Sequence, residues 1–291
     1  MKKEILARVV ALGGAFLIAG CSEADNSDGA TSAAPEPTEQ VKSLILPFDE
    51  YELSPSEYNM SQNATDLVIQ KCMRSKGLDW TVVERPTRTL DLTNRRRYGV
   101  IEIEVARAYG YHAPIELRDP DGTKRSEDRR WKKLTEEQQK AALGQGDNEG
   151  SCNALATEQL DDSRMDYSLF NELSSKYLKQ AQEDPRVEAS MKAWSECMKE
   201  RGKEYATPYD AINDKKWWKD EERQIGSKEE MDTAVRDVQC KEKVGLIDKW
   251  YAEEKRLEEG AIARNAEYFR KLKEAKMTHL VAVKNVLDES H

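Results

Sequence analysis

The sequence predicts a mainly α-helical domain stapled by disulfides, built from a degenerate two-fold repeat, with a long C-terminal helix and a small β or irregular insert. Three observations predict it. First, residues 68–80 (VIQKCMRSKGLDW) and 193–205 (AWSECMKERGKEY) align without gaps. Ile69 matches Trp194, Cys72 matches Cys197, Met73 matches Met198, Gly77 matches Gly202 and Trp80 matches Tyr205. Second, each half supplies one further cysteine, Cys152 and Cys240. Third, no proline follows Pro208, and apolar residues from Val235 to Leu287 keep a helical period.

The N-terminus carries Lys2, Lys3 and Arg8, then an apolar run from Val9 to Gly20, then Cys21. A permanent membrane span needs ~20 apolar residues, so this run is too short for one. Leu17-Ile18-Ala19-Gly20-Cys21 resembles the lipobox of a bacterial lipoprotein signal. That resemblance implies cleavage before Cys21, diacylglycerol on its sulfur and an extracytoplasmic protein held at the cell membrane. An ordinary secretory signal also exports the chain. Residues 22–40 are rich in Ser, Ala, Pro and acids and have no aromatic. Such a composition cannot bury enough surface to order itself. It reads as a tether reaching on the order of 25 Å by random-coil scaling. The expected division is a signal over 1–20, a lipid-anchored tether over 21–44, a first half over 45–183 and a second over 184–291.

The repeated motif encodes a helix and its stop. Ile69, Cys72, Met73 and Lys76 fall on one stripe. Gly77 and Gly202 sit where a left-handed C-terminal cap belongs. Arg74, Lys76, Lys199 and Arg201 place cations in the last turn, where the helix dipole favours them. Between the copies, residues 80–84 (WTVVE) and 99–105 (GVIEIEV) alternate enough to suggest short strands, and RDPDG at 118–122 reads as a turn. Thr135…Gln138 and Ser227…Glu230 have capping-box spacing, and Asp184-Pro185 offers an N-cap with proline at the first helical position. Cys152, Leu155, Ala156, Phe170, Leu173, Tyr177 and Ala181 approximate one helical stripe. The C-terminal pattern permits helix from about 228 to 287, with Gly245 or Gly260 as places to bend.

With Cys21 lipidated, four cysteines remain, and an even count in an exported chain favours disulfides. Three pairings are possible. The duplication favours Cys72 with Cys152 and Cys197 with Cys240. Metal chemistry fits poorly. The gaps between cysteines are long, and His112, His279 and His291 are scattered. Met73 and Met198 directly follow a cysteine, so they point about 100° away from it on a helix and read as core filler. No catalytic residue, metal ligand or cofactor is assigned.

The formal charge of −9 argues against a nucleic-acid partner. Charged residues make up 35% of the chain, and the excess reads as solvated helical face. The basic run at 95–97 (RRR) reads as a solvated turn, with contact to an anionic wall polymer or lipid headgroup as the alternative. Residues 95–116 read as a packed insert. Of Trp217 and Trp218, one ring is expected buried and one partly exposed. No nucleophile elbow, zincin motif, P-loop or dinucleotide fingerprint occurs.

Taken from about residue 58 onward, the paired Cys-Met-x₃-Gly helices, LTEEQQKAALG before Cys152, and a long terminal helix carrying Cys240 resemble lipoproteins of Gram-positive actinobacteria that carry no assigned activity. The expectation is a membrane-anchored binding or scaffolding module of the cell envelope, partnered by an envelope protein or wall polymer. The alternative is a wall-processing enzyme, recognisable by a deep polar cleft with convergent carboxylates.

Overall fold

Capping chemistry sets where most of the helices begin and end. The computed structural model describes residues 34–119, 121–144, 150–161, 164–220 and 223–290. Cys21 and the expected signal lie outside them. In chain order the helices are α1 (Glu39–Lys42), α2 (Pro55–Ser75), α3 (Ile103–Tyr109), α4 (Ile115–Arg118), α5 (Thr123–Lys133), α6 (Glu136–Leu143), α7 (Cys152–Gln159), α8 (Ser168–Gln180), α9 (Pro185–Glu200), α10 (Pro208–Ile212), α11 (Lys228–Val244), α12 (Leu246–Arg264) and α13 (Ala266–Asp288). A 3-10 turn at Pro47–Tyr51 precedes α2. The fold is mainly helical, and no strand forms among the described residues.

Both Cys-Met helices end in the same stop. Gly77 and Gly202 have φ of 72° and 75°. Leu78 N–H donates to the Met73 carbonyl and Gly77 N–H to that of Arg74, both at 3.0 Å. Lys203 N–H repeats this onto Met198 and Gly202 N–H onto Lys199. The side chains of Gln70 and Ser195, at equivalent positions, donate to the carbonyls of Trp80 and Tyr205. Met73 and Met198 are both fully buried, as core filler should be. Beyond Tyr205 the equivalence ends, because α10 follows that copy while the first copy runs on without a helix to α3.

The disulfides are Cys72–Cys152 and Cys197–Cys240. The first ties α2 to α7 in a small cluster with Val68, Ile69, Trp80, Ala142 and Ala156. The second ties α9 to α11 inside the main core, beside Trp194 and Trp250.

The expected strand at residues 80–84 is extended backbone paired to a helix instead. The polar face of α2 supplies its partners. Asn59 donates to the Pro86 carbonyl, Asn63 both donates to and accepts from Arg85, and Asp66 accepts from Val83 N–H. Asp66 is buried and also receives Trp80 Nε1, Arg85 and Arg130. Side chains thus satisfy a backbone that alternation alone assigns to a sheet. The second expected strand, 99–105, turns into α3, whose Val105, Ala106 and Tyr109 are buried.

The expected long C-terminal helix is three helices. Gly245 breaks it in the left-handed region (φ 58°), and Asn265 breaks it again. Gly260 stays inside α12. The Thr135 capping box and the Asp184-Pro185 start form as read. Ser227 caps α11, but Glu230 does not return to it. Its carboxylate is drawn instead to Tyr111 N–H and His112 Nδ1. Leu155, placed on a buried stripe, is exposed.

Residues 34–44 depart from the tether expected over 21–44. Val41 and Leu44 are buried in the main core, and Thr38 N–H binds Glu102. The two expected halves are interleaved. α2 packs on α13, α3 on α11 and α8 on α12. Glu57 meets Lys276, Ser61 meets His279 and Ala64 meets Val283, so α2 and α13 run parallel. No helix among the described residues is long and apolar enough to cross a membrane.

Candidate functional site

The basic run at 95–97 is the centre of the molecule's polar architecture, which corrects its reading as a solvated turn. Arg95 clamps Glu102 and the Pro35 carbonyl. Arg96 donates to the carbonyls of Tyr111 and His112. Arg97 reaches Glu254 on α12 with Nε at 2.8 Å and with Nη2, and Ser174 on α8 with Nη2 at 3.2 Å. The turn that presents them depends on Gly99 (φ 80°), where a Cβ would lie 2.6 Å from Ile212 Cδ1.

Arg97 opens onto a cavity of about 310 Å³. Its walls come from the 3-10 turn (Phe48, Asp49), Thr93, Asn94, Arg96 and Arg97, α8 (Phe170, Ser174, Leu178) and Glu258 of α12, with Glu52 at one side. Thr93 is exposed and Glu52 half-buried, so this side meets solvent. Glu254 and Glu258 are one turn apart on the buried face of α12 that also carries Trp250, Leu257 and Ala261. Their side chains have no exposed surface.

These two glutamates differ in their partners. Glu254 is saturated, since Arg97 holds Oε1 and the Tyr98 hydroxyl donates to Oε2 at 2.7 Å. Glu258 Oε2 accepts the Phe48 N–H at 3.0 Å, but Oε1 has no hydrogen bond among the described residues. Its nearest cation is Arg97 Nη2 at 3.6 Å. Burial pushes the Glu258 carboxyl up to about 8; Phe48 N–H and Arg97 oppose the shift and Glu254 adds to it. Burial also raises Asp49, against the pull of Leu46 N–H and Asn94, and it raises Glu52, where Asp49 adds to the shift. A carboxyl that stays protonated near neutrality can donate or exchange a proton.

Other polar clusters are closed. Ser61 Oγ, His279 Nε2 and the Leu160 carbonyl form a relay at 2.8 and 2.7 Å. It resembles a nucleophile–base pair, yet Ser61 and His279 are buried beside Ala64, Leu160 and Val283, so the relay links α2 to α13. Asp237 and Lys241 form a buried ion pair completed by Trp194 Nε1 and the Val100 carbonyl. His112 bonds buried Glu230 and stacks on Trp218 at 4.6 Å. Trp217 is buried and Trp218 exposed, as read from sequence, and of the insert read over 95–116 the part from Tyr98 to Tyr111 packs into the main core. The four paired cysteines are covalent braces. No cluster of three or more metal-ligating side chains occurs among the described residues.

Comparison with protein-family models, curated proteins and solved structures finds no match. The cavity therefore has to be read from its own chemistry. Sequence reasoning singled out Arg97 but gave it a surface role, and it passed over Asp49, Glu52, Glu254 and Glu258. One signal was available. Positions 250, 254, 257, 258 and 261 make a helical stripe, and two glutamates occupy it.

Proposed function

We propose that this chain is a lipid-anchored, extracytoplasmic binding module of the cell envelope, with the Glu258 cavity as its ligand site. The observation that carries the reading is Glu258 itself, a carboxyl with no exposed surface whose Oε1 has no hydrogen bond among the described residues and which borders a cavity of ligand size. Two disulfides packed against hydrophobic clusters support an oxidising compartment, and with it export. Lipid on Cys21 supplies the anchor, because two acyl chains hold a protein at a bilayer where one does not.

The test is equilibrium dialysis of the full chain in detergent against a small-molecule extract of the envelope, followed by mass spectrometry of what is retained. A compound retained by the native chain and lost from Glu258→Gln supports the reading. Equal retention by both removes the cavity from it.

A wall-processing enzyme is the second reading, favoured by the convergent carboxyls. Hydrolysis needs a second carboxylate poised as base or nucleophile. Glu254 is saturated and Asp49 Oδ2 accepts from both Leu46 N–H and Asn94, so Glu52, with neither oxygen engaged, is the better placed. Turnover of wall fragments that is lost in Glu52→Gln and Glu258→Gln would favour the enzyme.

A further inference from the structure

We propose that the cavity receives a small organic ammonium group, held between the carboxyls of Glu258 and Glu52 and the rings of Phe48 and Phe170. This rests on the cavity being the ligand site and names the class of ligand.

Most donors around the cavity are committed, while two of its carboxyls are not. Arg97 commits Nε and Nη2 to Glu254 and Ser174. Asn94 commits its amide hydrogens to the Leu44 carbonyl and Asp49, and Arg96 commits Nη1 and Nη2 to two carbonyls. Glu258 Oε1 and the Glu52 carboxyl have no hydrogen bond among the described residues. Apart from Arg97 Nη1, the donors on the wall are committed, and these carboxyl oxygens are left without one. Three acids and two arginines line it, while Glu254 neutralises Arg97 from behind. Burial shifts each lining acid toward its neutral form, so ionising any of them in the empty cavity is unfavourable. A cation relieves all three.

The two phenylalanines give the cavity an apolar, aromatic wall that suits an organic cation better than a bare metal ion. Phe48 and Phe170 lie 5.2 Å apart, tilted by 39°, both on the cavity wall. An ammonium group is attracted to aromatic faces by their quadrupoles. Arg97 Nη1 retains donor capacity and suits a hydroxyl or carbonyl elsewhere on the ligand. The volume is at the small end of the ~300–1,000 Å³ typical of small-molecule sites. Water is the default occupant of such a space, so binding has to displace it.

Calorimetry of the full chain in detergent micelles tests this with butylammonium and tetramethylammonium against butanol and butyrate. The ammonium probes bind. Glu258→Gln weakens them at least tenfold, and Glu52→Gln, at the half-buried rim, weakens them less. Binding at pH 7 releases a proton from Glu258, read as an enthalpy that varies with the buffer's ionisation heat, and affinity rises between pH 6 and pH 8. The groups facing Glu258 are Asp49, Glu52, Glu254, Tyr98, Arg96 and Arg97, and Asp49→Asn keeps the proton release if Glu258 is its source. Butanol or butyrate binding as well as the ammonium probes, with Glu258→Gln neutral, overturns the ammonium class while leaving a binding cavity. No heat from any probe overturns the site itself. If Glu258→Gln fails to fold, Glu52→Gln and the proton count carry the test.

Discussion

Glu258 should make the protein's stability depend on pH in a direction opposite to most carboxylates. Its folded value of about 8 is above its ordinary 4.5. Below pH 4.5 both the folded and unfolded states hold the proton. Between 4.5 and 8 the unfolded chain releases it and the folded chain keeps it, so stability falls as pH rises. Glu258→Gln should therefore melt close to the native chain at pH 4.5 and above it at pH 8, as measured by thermal denaturation across that range. At the same scale, Gly77→Ala and Gly202→Ala each force a Cβ into the left-handed region with no atom within 4 Å to clash. Each should cost about 1 kcal/mol through backbone conformation alone, as read from chemical denaturation. The glycines, cysteines and methionines were legible because each answers to local chemistry: a cap, a covalent bond, an apolar stripe. Glu258 was not, because a glutamate on a buried stripe reads the same as one on a solvated face until its neighbours are known.

At the scale of elements, polar groups join what the hydrophobic pattern leaves apart. Arg97 links the turn before α3 to α8 and α12. Arg97→Met should destabilise by ~3–5 kcal/mol, because Glu254 is left charged and buried with the Tyr98 hydroxyl as its donor. Arg97→Met combined with Glu254→Leu should recover much of that loss in the same denaturation assay. Removing the disulfides separately is also informative. Cys72–Cys152 spans 80 residues and Cys197–Cys240 spans 43. By chain entropy they contribute roughly 4.5 and 4 kcal/mol before native-state strain is subtracted. A Cys72→Ala/Cys152→Ala pair should thus cost at least as much as Cys197→Ala/Cys240→Ala. Helix starts and stops were legible here, including the break at Gly245. The strands were misread because alternation at 80–84 reflects pairing with side chains of α2, which no local pattern encodes. The half-formed capping box at Ser227 has a similar cause, since His112 and Tyr111 compete for Glu230 from more than a hundred residues away.

Across the whole molecule, the helical class and the cysteine pairing followed from repetition and composition. The interleaving of the halves did not, because each half's apolar stripes look self-sufficient until α2 is seen on α13 and α3 on α11. The N-terminal segment was read as tether on composition, yet Val41 and Leu44 anchor it in the main core. The site is also a whole-molecule property, since its walls come from the N-terminal turn, the insert, α8 and α12.

Export, lipid anchoring and oxidation of the chain together underlie its proposed role at the envelope. Non-reducing peptide mapping of the protein isolated from the membrane fraction of its native cells tests that directly. The prediction is an N-terminal peptide beginning at Cys21 with diacylglyceryl mass added, together with linked peptides for Cys72–Cys152 and Cys197–Cys240. An intact peptide spanning Gly20 and Cys21, or free thiols at the four paired positions, would contradict it.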